Sequence, residues 1–166
     1  MMCAMDLKLS TTYDASPEDV FAIISDPSFR ETACEQTHAL SYDVSVTESG
    51  DDVVVRVVRE MPTDQVPDFA RKFVGSTLTV IQTETWRPAA GDGSRTADVH
   101  GEIKGTPASF NGTAAITGGT DNAVRSVDLD VRVAVPLIGK KIEPFIAQAI
   151  EAALTKEQQL GQSWHA

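Results

Sequence analysis

The chain has 166 residues, of which 42% are hydrophobic and 23% charged, proportions that exclude a disordered or fibrous protein. Its length predicts a single domain over residues 1–166 with one hydrophobic core. Twenty-four acidic against 14 basic residues give this acidic protein a formal net charge of −10, which repels nucleic-acid backbones and anionic lipid surfaces. We therefore expect no nucleic-acid partner.

Cysteine use and the N-terminal residues predict the compartment. Cys3 and Cys34 belong to no CxxC motif and no Cys/His cluster, so two reduced thiols are favoured over one disulfide. No apolar run approaches the roughly 18 residues of a membrane span, and no basic region with a long apolar core opens the chain. We expect a cytoplasmic protein without a membrane span.

The first third of the chain predicts a strand followed by two short helices. Alternation of apolar and polar residues indicates a half-buried strand over residues 5–13. Ser16 is a typical N-cap, and Pro17 suits the first position of the helix that follows. Asp26-Pro27 ends that helix, and a second short helix is predicted over residues 28–36.

Six further strands follow, separated by turn residues. They are predicted over residues 38–47, 53–61, 77–87, 96–104, 108–117 and 123–134. Each places its apolar residues on one face only, which is typical of an antiparallel sheet with one solvated face.

Residues 62–75 form the one long connection between these strands. Val66, Phe69 and Phe73 are spaced three and four apart and Gly75 follows, which predicts a short amphipathic helix over residues 66–75. Long connections in compact domains are often binding loops or lids. We expect this helix to gate a cavity, with Phe69 and Phe73 touching an apolar ligand; the alternative is that both are plain core residues.

The longest helical pattern closes the chain. A wide apolar stripe runs from Leu137 to Leu160. Pro144 lies inside it and cannot donate the backbone hydrogen bond to the carbonyl of Lys140, so a kink or a restart is expected there.

This order of elements resembles the helix-grip fold of the START-related and birch-pollen-allergen-like superfamily. The resemblance implies an α+β protein in which a seven-stranded curved antiparallel sheet wraps around the long C-terminal helix, usually leaving an apolar cavity between them. The superfamily hosts lipid carriers, hormone receptors and polyketide cyclases, so membership alone does not select a function. Several stretches further resemble a bacterial family of uncharacterised proteins within it: residues 62–69, 82–86 and 136–139, with Glu143, Gly161 and Trp164.

Sequence motifs for catalysis, metals and cofactors are missing. The chain contains no GxSxG, no HExxH, no P-loop and no GxGxxG after a strand. His38, His100 and His165 fall in different settings: an inward strand face, an outward strand face and the C-terminal tail. We therefore predict no catalytic residue, no metal site and no cofactor.

Polar residues on the apolar phase of the strands mark the candidate site. Burying such groups costs free energy unless they have partners or face a wet cavity. Arg59 and Glu84 would be satisfied by an internal ion pair or by simply reaching the open end of the sheet. The functional alternative is that these polar groups orient the polar head of a ligand whose body lies against apolar walls. The candidate ligand-binding residues, aromatic ones included, are His38, Tyr42, Arg59, Phe69, Phe73, Gln82, Glu84 and Phe110.

Three functions follow from this arrangement. The favoured one is binding of a small hydrophobic or amphipathic molecule, such as a lipid, between the sheet and the C-terminal helix. The second is a polyketide-cyclase-like enzyme in which Glu84, with His38 or Tyr42, moves protons in a dry pocket. The third is a ligand-free scaffold with a filled core, which a cavity smaller than about 300 Å³ would favour.

Overall fold

Seven antiparallel strands form one sheet across residues 5–164, the part of the chain that the computed structural model describes. Cys3 and His165 lie outside these residues. The strands are β1 (Met5–Thr12), β2 (Ser41–Ser49), β3 (Asp52–Pro62), β4 (Thr77–Trp86), β5 (Arg95–Ile103), β6 (Ala108–Thr117) and β7 (Val124–Val133). Their order across the sheet is β1-β7-β6-β5-β4-β3-β2, which makes β1 and β2 its edges. The predicted seven-stranded antiparallel sheet is thereby confirmed.

Four helices complete the fold, and the first two follow β1 as predicted. Both begin at a proline, and the residue before each proline supplies the N-cap. The Ser16 hydroxyl accepts a hydrogen bond from the Asp19 backbone N–H at 3.1 Å, and the Asp26 carboxylate accepts one from the Ser28 N–H at 2.9 Å. The helices are α1 (Pro17–Ile24), α2 (Pro27–Gln36), α3 (Asp68–Arg71) and α4 (Gly139–Gln162). Within the described residues, no helix combines the length and the apolarity needed to cross a bilayer.

The hydrophobic core is densest where α1 and α2 pack on the sheet. Val20, Ile24 and Phe29 of these helices have no exposed surface, and neither do Val55 and Trp86 of the strands. Burying a side chain of this size stabilises the fold by about 1.5–3 kcal/mol. This core positions α2, whose charged residue at position 30 enters the candidate site.

The N-terminal end of α4 is fixed to the end of β7. A Cβ atom at Gly139 would lie 2.1 Å from the backbone oxygen of Val133, so only glycine allows the helix to begin so close to the strand. The buried carboxylate of Glu143 accepts a hydrogen bond from the Val133 backbone N–H at 2.9 Å. The helix is continuous through Pro144, so the restart considered from the sequence is wrong.

The C-terminal end of α4 is fixed to α2 and to the residue after β1. Gly161 packs on the Tyr13 ring, and the Trp164 ring meets Phe29 edge-on with centroids 5.5 Å apart. The Trp164 indole N–H also donates to the Asp26 carboxylate at 3.3 Å. Because both ends of α4 are fixed in this way, its middle spans the face of the sheet.

The strand predicted from residue 38 begins three residues later. His38 has a φ of +66° and closes α2: its N–H donates to the Glu35 carbonyl, and the Ala39 N–H donates to the Cys34 carbonyl. These two bonds are the Schellman ending of a helix, which requires a left-handed residue at this place. His38 is therefore a helix-terminating residue, and β2 starts at Ser41.

The short helix predicted over residues 66–75 is only one turn long. It spans Asp68–Arg71, and no side chain caps its N-terminus at Pro67. The chain then continues in tight turns, in which the Phe73 N–H donates to the Ala70 carbonyl at 3.0 Å. An isolated helix of this length lacks the packing that sustains longer ones, so most of the segment is an irregular connection.

Candidate functional site

A cavity of about 550 Å³ lies between the sheet and α4. This volume falls within the range of small-molecule sites and contradicts the filled-core alternative. The sheet side of the cavity consists mainly of Val80, Val99, Phe110, Val127 and Leu129. The α4 side consists of Ile142, Phe145, Ile146, Ala149, Ile150, Ala153 and Leu154.

Phe110 forms part of the cavity wall because its partner on the next strand has no side chain. Gly101 of β5 lies directly opposite Phe110 of β6. A Cβ atom at position 101 would lie only 1.9 Å from the Cζ atom of the ring, so the ring occupies the space that a side chain there would fill. The glycine thus lets the aromatic ring lie flat against the sheet.

Five buried charged residues gather at one end of the cavity. They are Arg30, Arg59, Glu84, Arg125 and Glu157, and each is less than 9% exposed. All except Arg30 line the cavity. They come from α2, β3, β4, β7 and α4, and ion pairs among four of them connect α2, the sheet and α4 at this end.

Glu84 is the most heavily bonded member of this cluster. Its carboxylate accepts hydrogen bonds from Arg30 Nη2 at 2.8 Å, from the Trp86 indole N–H at 2.9 Å and from the Gln82 amide at 2.6 Å. Burial alone would raise the pKa of this carboxyl, but the attraction of Arg30 and then of Arg125 outweighs it and lowers the pKa. Glu84 is therefore held ionised.

Glu157 of α4 joins the other two arginines. Its carboxylate accepts a hydrogen bond from Arg125 Nη1 at 3.0 Å and lies 3.6 Å from Arg30 Nη1. Burial opposes ionisation here too, but Arg30 and Arg125 lower the pKa of Glu157, and Glu157 in turn raises that of Arg125. Arg30 thus bridges two carboxylates that face the cavity.

The Arg59–Glu84 ion pair considered from the sequence is wrong. In the sheet register Arg59 lies opposite Val80, whereas Glu84 lies opposite Val55. The two positions are four residues apart along the strands, about 13 Å. Arg30 reaches Glu84 from α2 instead, and Arg59 has no hydrogen bond or ion pair within the described residues.

The other end of the cavity opens between the 62–76 connection and the start of α4. Val66, Pro67 and Ala70 of the connection line it, together with Phe145 of α4. His38, which is exposed, contributes to the same wall. Phe145 is 45% exposed, and Asp64 and Gln65 of the connection are exposed and line the cavity as well, so the mouth is open to solvent and carries both apolar and polar residues.

Five of the eight predicted site residues therefore line the cavity, namely His38, Arg59, Gln82, Glu84 and Phe110. The other three do not. The Tyr42 hydroxyl donates to the Glu35 carboxylate beside α2, which raises its pKa to about 12. Phe69 packs edge-on against Phe145 at 5.8 Å, one layer outside the wall, and Phe73 lies in a separate recess.

Three charged residues of the site were missed from the sequence. Arg125 falls on the same inward phase of its strand as Val127 and Leu129, and Glu157 continues the apolar stripe of the last helix, so the periodicity that located the core could have located both. Arg30 follows Phe29 in a short helix where no polar partner is visible nearby in sequence. Its role depends on contacts with residues 54 and 127 positions away.

Solved structures share this arrangement of sheet and helices. A STAR-related lipid transfer protein from Xanthomonas axonopodis superposes with a TM-score of 0.59 at 12% identity, covering 95% of this chain and 86% of that one. The Zhui aromatase/cyclase from Streptomyces sp. R1128 gives a TM-score of 0.58 at 10% identity, covering 95% and 91%. The protein therefore has the helix-grip fold of the START-related superfamily, as the sequence indicated.

The chain belongs to the family described as protein of unknown function (DUF2505), which it matches over residues 8–164. The uncharacterized protein Rv0481c of Mycobacterium tuberculosis is 26% identical over 167 aligned positions, covering 94% of both chains. The family match includes every stretch that suggested an uncharacterised bacterial family. Several of these residues, Gly139, Glu143, Gly161 and Trp164, fix the two ends of α4.

Proposed function

We propose that the protein binds a small apolar or amphipathic molecule in the cavity between the sheet and α4. The observation that carries this proposal is a space of about 550 Å³ with mainly apolar walls, an open mouth at one end and a few buried polar groups at the other. Sites that bury most of a small molecule have this composition, because apolar walls supply affinity and a few polar groups fix orientation. Each Å² of apolar surface removed from water contributes about 25 cal/mol.

The cyclase-like alternative receives less support from the same geometry. It requires Glu84 to exchange protons with His38 or Tyr42, yet Tyr42 does not line the cavity. Glu84 accepts three hydrogen bonds, and its lowered pKa makes it a poor proton acceptor at neutral pH. A lipid transfer protein and an aromatase/cyclase match the fold about equally well, so the positions of Glu84 and Tyr42, rather than these likenesses, favour binding as the first hypothesis.

Saturable binding of Nile red, an uncharged apolar dye, tests the proposal. Ala153 lines the cavity from α4, so Ala153→Phe would place a ring in the space that the ligand needs. We expect the affinity for the dye to fall at least about tenfold, or 1.4 kcal/mol. Native mass spectrometry of gently purified protein should also show a retained small molecule that is absent from the variant.

Ala152→Phe is the matched control. Ala152 is the adjacent residue on the exposed side of the same helix, so the same added ring should leave dye binding unchanged. Equal loss in both variants, or no saturable binding by the wild type, would contradict binding in this cavity.

A further inference from the structure

The buried charges at the closed end of the cavity do not balance. Three arginines and two glutamates lie there, which leaves one positive charge in excess. Arginine stays protonated in proteins, so the excess cannot be removed by loss of a proton. An uncompensated charge in a protein interior is costly unless an ion of opposite sign accompanies it.

The excess charge is located on Arg59. Arg30 and Arg125 share the two glutamates in ion pairs of 2.8–3.6 Å, whereas Arg59 forms no ion pair within the described residues. Arg59 is 8% exposed, and its Nε atom is fully buried without a hydrogen-bond partner. Its side chain lines the cavity. The guanidinium therefore presents N–H donors that have no acceptor among residues 5–164, inside the proposed binding site.

Among residues 5–164, Arg59 attracts Glu157 and helps to lower its pKa, but it forms no ion pair with any carboxylate. Cys34 lies close enough for Arg59 to favour its thiolate, but burial outweighs that attraction and raises the pKa of the thiol, which stays neutral. Glu157 is held by Arg125 and Arg30. The counter-ion is thus left for a bound molecule to provide.

We propose that the ligand is an amphiphile with a single carboxylate head, which pairs with the Arg59 guanidinium. This inference rests on the proposed function and specifies its ligand. A carboxylate matches the planar fork of arginine in a bidentate geometry, and its one charge neutralises the excess. A phosphate monoester would carry about two charges and leave a buried negative excess instead.

The apolar part of such a molecule has space along α4. The helix rises about 1.5 Å per residue, so its cavity-lining stretch from Glu157 to Phe145 is about 18 Å long. Ile150 and Ile146 line the cavity between these two residues. An unbranched aliphatic tail can follow this surface from the charged end to the open mouth.

Three ligands with the same tail and different heads test the inference. Dodecanoate, dodecanol and dodecyltrimethylammonium would each displace Nile red from the wild-type protein below their micelle-forming concentrations. We expect dodecanoate to bind about 10- to 100-fold more tightly than dodecanol, the range for a hydrogen bond to a charged group, and the cation to bind most weakly. Arg59→Gln should abolish the preference for dodecanoate while keeping dodecanol binding, and Arg59→Lys should restore part of it.

Arg56→Gln is the matched control, since Arg56 lies on the same strand but is exposed on its other face. It should leave the preference of the wild type intact. Equal affinity for all three heads, with Nile red still bound, would overturn the carboxylate inference and leave the proposed cavity function standing. Failure of the wild type to bind the dye or any of the three ligands would overturn both.

Discussion

The two ends of the cavity differ in which side chains they bury and which they expose to solvent. At the closed end, five charged side chains are almost fully buried; ion pairs join four of them across α2, the sheet and α4, and Arg59 has none within the described residues. At the open end, the exposed residues include two phenylalanines whose rings pack edge-on: Phe69 is 42% and Phe145 is 45% exposed. The protein thus buries charge and exposes apolar surface along one continuous space.

This inversion separates two demands on a binding protein. The charged end is rigidly specified, because a buried carboxylate or guanidinium must keep its partners. The mouth is formed by a single helical turn and an irregular connection, which have few such constraints. In the proposed function, specificity is therefore located at the charged end and access at the mouth, and each end can be altered separately.

Removing Arg30 should have the largest effect on stability. Arg30→Met would leave Glu84 without its only direct ion-pair partner in the described structure and weaken the hold on Glu157, a loss of about 3–5 kcal/mol in the free energy of unfolding. Urea denaturation measures this loss. The Arg87–Asp98 pair is shorter, at 2.6 Å, but both side chains are exposed, so Arg87→Met should change stability little. Equal losses in the free energy of unfolding for Arg30→Met and Arg87→Met would contradict the expectation that burial makes the Arg30 ion pairs more important.

Acid should weaken the closed end in particular. The pKa values of Glu84 and Glu157 are lowered in the folded protein, so their contribution to stability is complete above the unfolded value of about 4.3 and is lost as the pH falls through their folded values. We expect the destabilisation caused by Glu84→Gln at neutral pH to shrink below about pH 4.3. Urea titrations over a pH series would detect this, and parallel curves for wild type and variant would rule it out.

Replacing Arg59 should stabilise the ligand-stripped protein. Arg59→Met removes a buried charge that has no hydrogen bond or ion pair among residues 5–164 and keeps a long apolar stem, so the free energy of unfolding should rise by about 1–3 kcal/mol. Arg56→Met, on the exposed face of the same strand, is the control and should be neutral. A lower thermal midpoint for Arg59→Met than for the control would show that Arg59 has stabilising contacts.

The smallest effect on stability is expected at the mouth. Phe69→Ala removes a half-exposed ring and one edge-on aromatic contact, which should cost about 1 kcal/mol while speeding the release of Nile red in stopped-flow experiments. Phe29→Ala, the same substitution at a fully buried position of the core, should cost about 3–5 kcal/mol. An unchanged release rate for Phe69→Ala would show that the Phe69 ring does not control access to the cavity.

The sequence was sufficient to predict the sheet and the long helix because both follow from periodicity. Every strand repeats at period two, and α4 keeps an apolar stripe from Ile142 to Leu160. His38 was misplaced in a strand because the ending of a helix depends on one left-handed residue, which alternation does not reveal. Pairing across the site could not be predicted either, because Arg30 and Glu84 are brought together by the packing of α2 on the sheet.

Because Gly101 has no side chain, adding a single methyl group at this position would change the volume of the cavity. Because a methyl group at this position would overlap the Phe110 ring, alanine there must push the ring off the sheet and into the space beside α4. The strands and the helix would stay in place, but the cavity would accept only ligands of smaller cross-section. Family members that differ only at positions 101 and 110 would therefore select ligands of different cross-section. The charged end, which orients the ligand in the proposed function, would stay the same.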